Sequence, residues 1–246
     1  MRIAWLGSSI VLALAVAVAQ AAPKEDVTEA AKKLAEKGNY SWKQSSENAG
    51  GGGGGGRGFR AGPTEGKTAG GTTYLTSQRG DNTTEVVLKG EKGAVKVQDE
   101  WMALSELSGQ GQGGQGGGRQ GLGRFLANQY RNFKAPAAQA QELVGQVKEI
   151  KQEGDAYTGE LTEEGAKSLM SFGGRRGGQG PEISGAKGTA KFWVKDGALA
   201  KYEYNVQGTV TFGDNEREIN RTTTVEIKDV GSTKVEVPAG AKEKLS

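Results

Sequence analysis

GTAKFWVKDGALAKYEYNVQG, residues 188–208, reads as two strands folded about a tight turn at Asp196-Gly197. Asp-Gly between alternating runs is a strong local signal for a β-hairpin, because both residues tolerate the positive φ that a two-residue turn requires. The alternation on either side is regular. Phe192 and Val194 point one way and Lys191, Trp193 and Lys195 the other, while Tyr202, Tyr204 and Val206 alternate with Lys201, Glu203, Asn205 and Gln207. One apolar and one polar face is the pattern of an antiparallel sheet covered on one side.

The same reading extends in both directions. Downstream, TVTFGDNEREINRTTTVEIKD (209–229) predicts a hairpin around Gly213-Asp214-Asn215, and STKVEVP (232–238) predicts a last strand ended by Pro238. Upstream, Val27, Ala30, Ala31, Leu34 and Ala35 recur at three- and four-residue spacing and predict a helix over 26–38, stopped by Gly38. NYSWKQSS (39–46) follows as a strand with Tyr40 and Trp42 on one face; TTYLTSQ (72–78), TTEVVLKG (83–90) and GAVKVQ (93–98) continue a meander towards Trp101 and the Leu104/Leu107 pair. Residues 122–144 predict helix, with Phe125, Leu126, Tyr130 and Phe133 on one side and a break at Pro136. QVKEIKQEG (146–154) and DAYTGEL (155–161) predict a hairpin, and TEEGAKSLM (162–170) a short helix capped by Thr162. The fold class is therefore α+β: a long one-sided sheet with three short helical regions to cover it.

Composition narrows the chemistry. The chain has no cysteine and no histidine, which excludes disulfides, thiolate chemistry, a bacterial lipid anchor, a Ser-His-Asp triad and His-based metal sites. No nucleophile–base pair can be named among the remaining residues, so the chain reads as non-enzymatic, with no cofactor and no metal. The formal charge of +3 is close to neutral and gives no argument for nucleic acid. Residues 1–21 read as a signal peptide, with Arg2, an apolar run over Ile10–Ala19 and cleavage after Ala21. No second apolar run of spanning length follows, so residues 22–246 read as one exported domain without a membrane anchor, periplasmic or extracellular. Three glycine-rich stretches, at 49–58, 109–123 and 173–180, predict loops, since glycine with Gln and Arg cannot bury enough apolar area to offset its backbone entropy.

AGPTEGKT (61–68) matches a loose phosphate-binding-loop pattern. The context opposes that function: no apolar strand precedes it, and AGGTTYLTS after it does not open a helix. The stretch reads instead as a turn around Pro63 and Gly66 joining two edge strands.

The opening helix running into NYSW, the block YTGELTEEGAKSLM, then KFWVKDGALAKYEYNVQG, and the ending TTTVEIKDVGSTKVEVP together resemble the LolA/LppX-like superfamily of bacterial lipoprotein and lipid carriers. The resemblance implies a curved antiparallel sheet, an incomplete β-barrel, with helices on its concave face and an apolar ligand such as a lipid or lipoprotein acyl chain between them. The glycine-rich inserts depart from that pattern. Incomplete cover of a one-sided sheet independently leaves a groove, for which the candidate lining residues are Trp42, Trp101, Phe125, Leu126, Tyr130, Phe133, Phe192, Tyr202 and Tyr204. Each of these also fits plain core packing. An alternative reading is an envelope interaction protein whose basic glycine-rich loops contact an anionic polymer or a protein partner.

Overall fold

A computed structural model describes residues 23–49, 61–80, 82–97, 99–109, 119–171, 182–213 and 215–246. The expected signal peptide, residues 50–58 of the first glycine-rich stretch (49–58), residues 110–118 of the second (109–123) and all of the third (173–180) lie outside the described residues. The elements run α1 (Pro23–Lys37), β1 (Tyr40–Asn48), β2 (Ala61–Ala69), β3 (Thr72–Arg79), β4 (Asn82–Lys89), β5 (Lys92–Val97), β6 (Glu100–Ala103) and α2 (Leu104–Gly109). They continue through α3 (Arg119–Arg131), α4 (Pro136–Gly145), β7 (Val147–Glu153), β8 (Ala156–Leu161), α5 (Glu163–Met170), β9 (Glu182–Lys195), β10 (Ala198–Phe212), β11 (Asn215–Lys228) and α6 (Ala239–Lys244).

Among the described residues, eleven strands form one antiparallel sheet in the order β6-β5-β4-β3-β2-β1-β11-β10-β9-β8-β7. The sheet is curved but not closed into a barrel, and helices pack on its concave face. The β9–β10 hairpin pairs as the alternation predicts, Tyr202 opposite Phe192 and Tyr204 opposite Ala190, and its turn residues Asp196 and Gly197 have φ of 52° and 72°. That double positive φ suits a two-residue hairpin turn to the right-handed twist of the strands. α1 lays Val27, Ala30, Ala31 and Leu34 against the sheet and α4, all at most 1% exposed. α5 opens as expected on Thr162, whose Oγ1 accepts a hydrogen bond from the Gly165 amide at 3.0 Å.

Three sequence expectations are corrected. AGPTEGKT is not a turn between edge strands but the interior strand β2, flanked by β1 and β3. Pro63 sits at the register irregularity between Ala61 and Thr64, where its missing N–H costs no regular ladder bond. Gly66 lies under the Trp42 indole: a Cβ there would fall 2.3 Å from Cζ2. STKVEVP is not a strand either, because β11 already has β1 on one side and β10 on the other and leaves the following residues no free edge. The chain instead turns at Asp229 (φ 52°) and crosses to the sheet's other face, where α6 forms. The helix expected from 122 begins at Arg119, inside the second glycine-rich stretch. β6, four residues long, escapes the alternation signal altogether.

Two apolar clusters result. The large one fills the space between the concave face and α1–α5 and contains Trp42, Leu75, Val86, Val95, Leu143, Phe192, Tyr202 and Val225. The small one lies on the opposite face, where Val87 and Ala94 pack with Tyr74, Trp101, Val237, Ala241 and Leu245. Adjacent residues such as Val86 and Val87 fall in different clusters, as strand geometry requires. Gly240 of α6 meets the Trp101 ring, and Lys244 reaches around the β6 edge to Glu106 of α2 at 3.3 Å.

Candidate functional site

The helical cover of the concave face leaves a cavity of about 480 Å³. Its floor is Gln44, Thr64, Leu75 and Tyr204, from β1, β2, β3 and β10. Gln129 and Tyr130 of α3, with Asn132, Phe133 and Lys134 after it, form one wall. Gln139, Glu142 and Leu143 of α4, with Gln146, form a second, and Ser168, Leu169 and Ser171 at the end of α5 complete it. A neighbouring cavity of about 470 Å³ includes Leu88, Gly93, Leu104, Arg131 and Lys244 in its lining. Tyr130 and Phe133 line both, so these two rings are the partition between them.

α4 is the helix that shapes the site, and two tyrosines of the sheet hold it. Its first-turn amide at Ala137 donates to the Tyr40 hydroxyl at 3.3 Å, standing in for the side-chain cap that Ala135 cannot supply. The Tyr202 hydroxyl donates to Gln139 Oε1 at 2.5 Å. Burial pushes both tyrosines' pKa up, so each stays neutral and able to donate at physiological pH. Arg221 of β11 donates from its guanidinium to the Leu169 carbonyl at 2.6 Å, placing a cation at the C-terminal end of α5, where the helix dipole favours one. Burial lowers its pKa. At the mouth, Lys134 and Glu142 pair with each other at 2.5 Å.

Of the residues singled out in the sequence, Tyr130, Phe133 and Tyr204 reach the cavity. Trp42 stands behind Phe133, stacked at 5.9 Å between ring centroids and 24° between planes. Leu126, Phe192 and Tyr202 are core residues, the last two with no exposure at all. Trp101 is on the opposite face, under α6. The side chain of Phe125 lies outside the described residues. The sequence reading missed the polar part of the lining. Gln44 continues the inward series Tyr40, Trp42, and Gln139, Leu143 and Gln146 follow each other at four- and three-residue spacing along one helix face, so the pattern held the signal. The lining is accordingly mixed rather than apolar throughout.

No family model matches the sequence, and no curated protein matches it. Solved structures align with the chain over most of its length. The chain is similar to the Mycobacterium tuberculosis lipoprotein LppX at 12% identity, over 88% of this chain and 98% of that one, with a TM-score of 0.48. LprF from Mycobacterium bovis is similar at 10% identity, over 89% and 97%, with a TM-score of 0.39. A LolA-superfamily protein from Nitrosomonas europaea aligns over 92% of this chain and 98% of that one at 11% identity, with a TM-score of 0.32.

Proposed function

We propose that this chain is an exported, non-enzymatic carrier or binding protein for a lipid or another ligand with an apolar part. The observation that carries the reading is the cavity of about 480 Å³ between the concave face and α3–α5, with the rings of Tyr130, Phe133 and Tyr204 and the side chains of Leu75, Leu143 and Leu169 in its walls. That volume lies in the range of small-ligand sites, roughly 300–1,000 Å³. Export rests on the basic, apolar and small-residue segments of the first 21 residues. The test is direct: protein purified from its cells without detergent is extracted with organic solvent and the extract analysed by mass spectrometry. A stoichiometric lipid is the expected result, and an extract free of lipid refutes the reading.

A further inference from the structure

Resting on that carrier reading, we propose that the ligand carries a single long acyl or alkyl chain, and that Phe133 is the residue that excludes a second one. Volume sets the first limit. An apolar cavity of about 150 Å³ holds a benzene ring, so by the same measure the cavity of about 480 Å³ between the concave face and α3–α5 takes roughly nineteen carbon atoms. That is one chain of ordinary length. Two such chains on one headgroup need about twice the space, and the neighbouring cavity of about 470 Å³ is where the second would have to go. The rings of Tyr130 and Phe133 stand between the two.

Entry of a second chain therefore turns on whether that wall gives, and its contacts hold it in place. The Phe133 ring is stacked on Trp42 at 5.9 Å between centroids. Trp42 cannot retreat, because its indole rests on the β2 backbone at Gly66, where even a Cβ would fall 2.3 Å from Cζ2. The Phe133 amide donates to the Tyr130 carbonyl at 3.3 Å and so fixes the residue to the end of α3. On its other side, Lys134 pairs with Glu142 at 2.5 Å and the Ala137 amide donates to the Tyr40 hydroxyl at 3.3 Å. The segment between α3 and α4 is thus tied at both ends. An interior packed to this density parts for extra methylenes only under strain, which weakens binding by about tenfold or more. Of the two rings, Tyr130 is built into α3 and buried, whereas Phe133 lies just past the helix and is only partly buried. Phe133 is accordingly the ring whose loss joins the two cavities at least cost to the fold.

To test this, the mature protein, stripped of lipid, is incubated separately with oleoyl lysophosphatidylcholine and with vesicles of dioleoyl phosphatidylcholine, reisolated by gel filtration, and its bound lipid counted by mass spectrometry. Headgroup and chain are the same in both, so the number of chains is what differs. Wild type is expected to take up about one lysolipid per protein and at least about tenfold less of the two-chain lipid. Phe133→Ala should raise two-chain loading at least about fivefold, whereas Leu169→Ala, which widens the first cavity away from the wall, should leave it within about twofold. Should Phe133→Ala fail to fold by circular dichroism, Phe133→Leu takes its place, with two-chain loading raised at least about twofold. Equal loading of the two lipids by wild type overturns this inference and leaves the carrier reading standing, as does a lysolipid preference that the Phe133 variants leave unchanged. Loading of neither lipid also overturns it, and the carrier reading is then decided by the extract from cells alone; a two-chain lipid in that extract supports the carrier reading and overturns the single-chain one.

Discussion

Gly66→Ala concentrates in one methyl group what holds the site's partition in place. The new Cβ would lie 2.3 Å from Trp42 Cζ2, 2.4 Å from Cε2 and 2.8 Å from Nε1, whereas carbon atoms sit comfortably at about 3.5–4.0 Å. Strand or ring must therefore give by more than an ångström. The ring has nowhere to go: Trp42 is 3% exposed and stacked on Phe133, which in turn forms the partition between the two cavities. Overpacking of this kind costs about 2 kcal/mol, and in a chain of this length each kcal/mol moves Tm by roughly 2–4 °C, so the variant is expected to melt roughly 4–8 °C lower. Trp42→Phe alone leaves a void and also destabilises, but combined with Gly66→Ala the smaller ring makes room for the methyl group. The double variant should then be more stable than the sum of the two single losses predicts. Thermal unfolding followed by circular dichroism measures all four proteins. A Gly66→Ala chain melting within about a degree of wild type, or a strictly additive cycle, refutes the reasoning.

Two further outcomes follow from contacts elsewhere. Thr162→Ala removes the cap of α5, leaves the Gly165 amide unmet, and should cost about 1 kcal/mol, read as a Tm lower by roughly 2–4 °C; an unchanged Tm would show that the bond contributes nothing. On the sheet's other face, Tyr74 donates to Glu85 Oε2 at 2.7 Å, and burial first, then that bond, push its pKa up to about 12. A pKa raised on folding adds stability that is complete below the unfolded value near 10 and is lost as pH climbs from there towards 12, so wild type should weaken across that window and Tyr74→Phe should weaken less.

Much of this architecture could be read from residue order, and the failures have physical reasons. The β9–β10 hairpin was legible because turn chemistry and alternation agree at Asp196-Gly197. β2 was not, because Pro63 and Gly66 argue against a strand until their surroundings are known: one sits at a register break and the other makes room for a ring supplied by β1. STKVEVP alternates as a strand should, but alternation says nothing about whether a neighbouring edge is free. Trp101 illustrates a related limit. Alternation separates two faces within a strand without saying which of them carries the larger cover, and in β6 the indole side belongs to α6. At the cavity, aromatic content drew the eye to Tyr130, Phe133 and Tyr204, while the glutamines beside them followed the same inward spacing unremarked.

The strand order has a consequence for how the molecule is assembled. β1 to β6 form one meander of sequence neighbours and β7 to β11 another, and the ladder from Ser41–Lys228 to Asn48–Arg221 is the seam between them. Each half can grow from local hairpins, but the seam joins residues more than 170 positions apart, a closure that comes late because its entropy must be met before the contacts reward it. The cavity draws Gln44, Thr64 and Leu75 from the first half and Tyr204 from the second. The cavity therefore has no complete floor until the last long strand, β11, has been made, and it takes shape only in the step that completes the sheet.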